Sequence, residues 1–173
     1  QGNSFKIYVT GEVTGPIAHL VSDKLSVHTP NGETVTDIKL SIKGIPNMRK
    51  AIFDVHIPKL RSNTKEIDKI VAHFTHNQTQ NLTYPLLNKA NCTLNCNFLG
   101  TLYDFKADGK LLSTVGDAEF DVDMEFPGRK KGAIMGINIS TEEVELGNIL
   151  KSNSLGNLSA DADLNIKLNP KGG

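Results

Sequence analysis

The feature that most constrains this chain is a strict two-residue alternation, clearest between positions 117 and 126. Ala118, Phe120, Val122, Met124 and Phe126 alternate there with Asp117, Glu119, Asp121, Asp123 and Glu125. Successive side chains of an extended strand point to opposite faces, so this segment has one oily and one acidic face. The pattern recurs at 158–168, where Leu158, Ala160, Ala162, Leu164, Ile166 and Leu168 are set against Ser159, Asp161, Asp163, Asn165 and Lys167. It recurs again at 91–98, with Cys92, Leu94, Cys96 and Phe98 against Asn91, Thr93, Asn95 and Asn97. Shorter versions occur around Phe5/Ile7/Val9, Leu25/Val27, Ile38/Leu40/Ile42, Phe53/Val55/Ile57, Phe105/Ala107/Leu111 and Ala133/Met135/Ile137/Ile139. The expectation is a mostly β chain of about nine strands.

Turn chemistry punctuates the alternation at Thr14-Gly15-Pro16, Pro30-Asn31-Gly32, Gly44-Ile45-Pro46-Asn47, Ala107-Asp108-Gly109 and the run from Pro127 to Gly132. Short connections of this kind predict antiparallel hairpins and meanders. Two segments break to a helical period. Asn63 and Glu66 form a capping-box pattern ahead of Ile67, Ile70, Val71 and Phe74, predicting a short helix over 64–74. Ser140 and Glu143 repeat that box ahead of Val144, Leu146, Ile149 and Leu150, predicting a second over 141–152. Each follows a similar alternating strand, which suggests degenerate strand-helix-strand repeats, 1–89 and 90–173, within a single β-rich domain spanning 1–173.

Composition narrows the function. At 173 residues the chain suits one domain. Nineteen basic residues balance nineteen acidic ones, so no global field favours nucleic acid as a partner. Hydrophobic residues make up 38%, yet no run approaches the roughly 18 apolar residues of a membrane-crossing helix. The opening Gln1-Gly2-Asn3 lacks a methionine, which suits a segment of a longer protein whose export signal or anchor lies elsewhere.

No Gly-x-Ser-x-Gly elbow, Gly-rich phosphate loop or His-Glu-x-x-His motif is present, and a non-catalytic chain without a cofactor is expected. His73 and His76 have helix spacing for a metal, but a surface pair explains them better. The carboxylates from Asp117 to Glu125 stand about 6.8 Å apart along one strand face, too divergent for calcium, and read as a solvated outer surface. Cys92 and Cys96, four apart on one strand face, lie about 13 Å apart, beyond disulfide reach, and read as small buried hydrophobes. Arg129-Lys130-Lys131 sits at a hairpin tip, with headgroup contact as its functional alternative. Sugar binding is disfavoured by the absence of tryptophan and an aromatic content of 6%.

The oily faces themselves remain. They could close on one another as a β-sandwich core. Alternatively the sheet could curl around an apolar groove that holds alkyl chains, since hydrocarbon asks only for burial area.

A family resemblance bears on that choice. Gly132 to Ile139, then Val144-Glu145-Leu146-Gly147-Asn148-Ile149-Leu150, then Leu155-Gly156-Asn157-Leu158-Ser159 running to Leu164, resembles a repeat of the AsmA/TamB superfamily. There a strand leads to a short "L-G-x-L-L" helix and an "L-G-x-L-S" strand opening, from which Asn148-Ile149 departs slightly. Val13 to Leu20 with Leu25-Ser26-Val27 and Gly32-Glu33-Thr34, and Ile42-Lys43-Gly44-Ile45-Pro46-Asn47, are similar to the family's strand pairs and its "G-L-P-D" turn. The likeness covers most of the chain apart from about 78–89. It implies a β-taco or groove, in a long protein anchored in the inner membrane and crossing the periplasm. It further implies phospholipid or another amphiphile as the partner, and in the TamB branch an outer-membrane barrel protein too. The family's shared element is a groove lining, which maps here to Leu94, Phe98, Phe120, Val122, Met124, Ile137, Ile139, Leu164 and Ile166. A structural or adhesive β-sandwich module of the cell envelope is the alternative expectation.

Overall fold

The computed structural model describes residues 6–67, 90–126, 132–145 and 156–168. Nine strands follow one another: β1 (Tyr8–Gly11), β2 (His19–His28), β3 (Val35–Lys43), β4 (Ile52–Asn63), β5 (Asn91–Gly100), β6 (Phe105–Ser113), β7 (Asp117–Glu125), β8 (Ala133–Glu145) and β9 (Asn157–Leu168). Their order across the sheet is their order in sequence, and every neighbouring pair is antiparallel. The expected mostly β, antiparallel-rich fold of about nine strands is therefore present as one meander. The sheet does not close, because β1 and β9 are its two edges.

Local chemistry accounts for the turns. Between β2 and β3, Thr29 Oγ1 donates to Asn31 Oδ1 at 2.7 Å and Gly32 takes a φ of +68°, a left-handed conformation that glycine adopts freely. Gly15 and Gly44 serve the turns at Thr14-Gly15-Pro16 and Gly44-Ile45-Pro46-Asn47 in the same way, with φ of +100° and +96°. The run from Pro127 to Lys131, which holds the basic cluster, lies outside the described residues, as do His73 and His76.

Ala107-Asp108-Gly109 is not a turn. It lies in the middle of β6, with Ala107 between Phe98 and Val122, Asp108 between Asn97 and Asp121, and Gly109 between Cys96 and Phe120. The chain reverses earlier, at Thr101–Asp104, where Thr101 Oγ1 accepts the Asp104 N–H at 3.0 Å and the Tyr103 N–H at 3.2 Å. Gly109 has a packing role instead. A Cβ there would stand 2.3 Å from the Asn95 carbonyl oxygen and 2.7 Å from Phe120 Cζ, so the ring of Phe120 lies over the bare backbone. Gly109→Ala should consequently cost about 1–3 kcal/mol through overpacking. A shift of the urea midpoint measures it, and an unchanged midpoint would remove this explanation for the glycine.

The helical expectations fare unequally. Residues 64–67 form a helical turn whose Glu66 N–H donates to Asn63 Oδ1 at 3.0 Å, the N-cap read from the sequence. The rest of the 64–74 helix lies outside the described residues. The second helix is corrected over 141–145, because β8 runs through to Glu145 and pairs with β9 at Thr141↔Ala160 and Val144↔Leu158. A β-bulge between those pairs moves the oily position from Thr141 to Val144. That three-residue step is also a helix spacing, so the sequence pattern is the same for both. Residues 146–152 lie outside the described set.

The described strands make one sheet, and its close backbone contacts run between ladder neighbours; a sandwich would in addition bury large side chains between two facing layers. Among the described residues no large side chain is fully buried, and the buried hydrophobics are Ala51, Ala90, Cys92 and Ala133.

Candidate functional site

Residues directly opposite each other in an antiparallel ladder share a face, so the registers carry the oily positions across the sheet. One row runs Leu40, Val55, Phe98, Ala107, Val122, Ile137, Leu164 from β3 to β9. A second runs Ile42, Phe53, Gly100, Phe105, Met124, Met135, Ile166. A third takes Ile57, Cys96, Gly109, Phe120, Ile139, Ala162. Leu94 falls in a fourth, between Leu60 and Leu111. All nine positions expected from the sequence thus occupy one face and adjoin one another. Six steps of about 4.8 Å from β3 to β9 make that face about 29 Å wide.

The face is larger than the expected set. Val55, Phe105 and Met135 sit in the same rows, and Phe105 stacks on Phe98 with ring centroids 4.9 Å apart. Their alternation is visible in the sequence at Phe53/Val55/Ile57, Phe105/Ala107/Leu111 and Ala133/Met135/Ile137/Ile139. The side chains are mostly half-buried by neighbours within the face, and at the β9 edge Leu164 is 48% exposed. At one end, towards the β2–β3 turn, the face becomes polar. Thr34 and Ser62 are buried there, with their hydroxyls 2.7 Å apart, and Thr36 is buried beside them.

The opposite face is charged and paired across strands. Lys106 Nζ lies 2.9 Å from Asp123 Oδ2, Lys110 Nζ 2.9 Å from Glu119 Oε1, and Lys24 Nζ 3.2 Å from Asp37 Oδ2. Asn97 Nδ2 donates to Asp108 Oδ2 at 2.8 Å. The acidic row of β7 is therefore a wet outer surface partly answered by β6 lysines, and such exposed pairs contribute little individually. Hydrogen bonds to Asp123 and Glu119 raise the basicity of Lys106 and Lys110. Their contribution is complete at neutral pH and fades only as pH climbs through the raised lysine values. A hydrogen bond from Ser26, then one from Lys24, holds Asp37 below the usual carboxylate range. Its contribution is present above the ordinary carboxylate value and lost as pH falls through the lowered one.

Both cysteines are free and lie on the oily face, Cys92 opposite Ser62 and Cys96 opposite Ile57. Burial raises both thiols, which disfavours the reactive thiolate. No group of His, Cys, Asp and Glu suited to a metal occurs among the described residues. A concavity of about 510 Å³ lies at the polar end, lined in part by Glu33, Arg61, Thr93 and Leu112. It includes none of the nine expected positions and is too mixed in polarity to cradle an alkyl chain. No family model, curated protein or solved structure matches the chain.

Proposed function

We propose that the chain is a non-catalytic, lipid-shielding segment whose oily sheet face covers acyl chains of phospholipid or a similar amphiphile. The reading follows the resemblance to the AsmA/TamB superfamily, and it places the chain in the periplasm, within a protein anchored in the inner membrane that serves outer-membrane biogenesis. A curled, taco-like sheet and an outer-membrane barrel protein as partner belong to the same proposal. The observation that carries it is the continuity of one apolar face across β3 to β9 with no second described layer upon it. An apolar face about 29 Å wide gains from any hydrocarbon laid on it, at roughly 25 cal/mol per Å². Its lack of buried polar groups along the central rows suits a ligand with nothing to hydrogen-bond.

The structural or adhesive module is the competing reading, and it needs the same face sealed by another layer. Native mass spectrometry after mild extraction separates the two. Co-purified phospholipid, released when Ile137→Asp is introduced, is the expected result. A lipid-free chain that takes up no added phospholipid would remove the proposal.

A further inference from the structure

On the outer face Lys24, Lys106 and Lys110 each have a carboxylate partner, whereas Arg61 makes no ion pair among the described residues. Arg61 lines the concavity of about 510 Å³ at the β2–β3 turn end of the sheet. The ladder sets Val35 and Thr93 opposite Arg61, and Leu112 opposite Thr93. These four alternate with the oily positions Leu60, Leu94 and Leu111, so the concavity opens on the outer side. It spans β3 to β6, all interior strands, and neither sheet edge enters into it. The side chains of Asn91, Thr93 and Thr114 also line it, and none of them makes a hydrogen bond among the described residues. Glu33 brings a carboxylate to the lining, but its Oε2 already accepts from Asn31 Nδ2 at 2.9 Å. The concavity is thus a set of hydrogen-bond donors without acceptors, beside an apolar Leu112 that is 42% exposed.

We propose that this concavity binds a phosphate monoester, with the Arg61 guanidinium on the phosphate and the organic part against Leu112. A guanidinium presents a planar fork of N–H donors that matches two phosphate oxygens at once. A phosphate monoester is close to a dianion at pH 7 and has three terminal oxygens. It can therefore accept from Thr93, Thr114 or Asn91 as well as from Arg61, where a carboxylate has only two oxygens to share. Glu33 repels such an anion. It sits on the β2–β3 turn, across Arg61 from Thr93 in the strand order, so the phosphate belongs on the Thr93 side. The volume lies in the range of small-molecule sites, which leaves room for an organic group beyond the phosphate. Because the site and the oily rows occupy opposite faces, this proposal stands apart from acyl-chain shielding, and either can fail without the other.

Isothermal titration calorimetry with phenyl phosphate on the purified chain tests it. A dissociation constant of about 0.1–1 mM is expected, with inorganic phosphate about fivefold weaker and benzoate at least about tenfold weaker. Arg61→Gln should weaken phenyl phosphate by about tenfold or more, and Arg61→Lys by about fivefold, because a point charge lacks the fork. Leu112→Ser should remove the preference for phenyl phosphate over inorganic phosphate and leave inorganic phosphate unchanged. Arg61 and Leu112 are both exposed, so melting temperatures should hold and a folding defect is separable. Arg49→Gln removes an exposed cation from the β3–β4 turn, at the other end of the sheet, and should bind as the parent does. The same phosphate could arrive on a lipid headgroup, so co-sedimentation with phosphatidylcholine vesicles containing phosphatidic acid separates the sources. Pull-down that Arg61→Gln abolishes assigns the group to a headgroup; binding of phenyl phosphate without such pull-down assigns it to a soluble ester. No binding of phenyl phosphate up to about 10 mM, an equal loss in Arg49→Gln and Arg61→Gln, or benzoate bound as tightly as phenyl phosphate would each overturn the proposal.

Discussion

Val122→Asp is expected to cost about 2–4 kcal/mol of folding stability, a fall in melting temperature of about 5–15 °C for a chain of this length. Val122 lies in the centre of the oily face, opposite Ala107 on β6 and Ile137 on β8, with Phe120 and Met124 two residues away on its own strand. A carboxylate there has no donor in reach. It would be driven towards its protonated form, so its folded value rises above the unfolded one and the penalty grows as pH increases. The variant should accordingly recover part of its stability near pH 4.

Two comparisons make the expectation specific to the geometry. Asp121→Asn, one residue away on the outer face, should lie within about 0.5 kcal/mol of the parent, because the side chain is exposed. A slight gain is reasonable, since Asp108 stands directly opposite Asp121 and like charges facing each other are unfavourable. Leu164→Asp shares the oily face with Val122 but sits on the edge strand at 48% exposure, and should cost only about 1 kcal/mol. Melts of the three variants check the order. Equal effects on Val122→Asp and Asp121→Asn would mean that the faces are wrongly assigned.

These faces were legible in the sequence because a period of two has one physical meaning, an extended chain half in contact with apolar neighbours. What failed was local chemistry shared by two structures. Asp108-Gly109 has the composition of a hairpin turn, yet the glycine is there because Phe120 lies over it. The real reversal at Thr101–Asp104 depends on one threonine hydroxyl, a weak signal beside Asp-Gly. The step from Thr141 to Val144 suits a bulge or a helix equally, and pairing with β9 decides for the bulge. The nine candidate positions were legible as faces of separate strands. Their adjacency was not, because it depends on ladder register, set by the bulges at Ser22/Leu25 and Ile57/Leu60 as much as by alternation. Whether oily faces meet one another is a question of layer number, on which a two-residue period is silent.

A photo-crosslinking residue placed at Val122 or Ile139 is expected to capture phospholipid in cells that make the whole protein. The same residue at Asp121 or Asn138 should yield at least about tenfold less, since the two pairs face opposite sides of one sheet layer. The contrast is sharp because Val122 lies opposite Ile137, and Ile139 opposite Phe120, while Asp121 lies opposite Asn138. Each probe position therefore differs from its control by one residue along the chain and by the full thickness of the sheet. Leu94, on β5 and two strands from Val122 on β7, extends the test across the face. Capture at Leu94 as well as at Ile139 would mean that lipid has access to several strands rather than to a single crevice. A sealed core packed at ordinary density leaves no room for an acyl chain, so the structural-module reading predicts no adduct at any of these positions. Equal capture on both faces would indicate indiscriminate contact with membrane. No capture at the oily positions, with the protein folded and abundant, would leave the face to be covered by protein and end the lipid proposal.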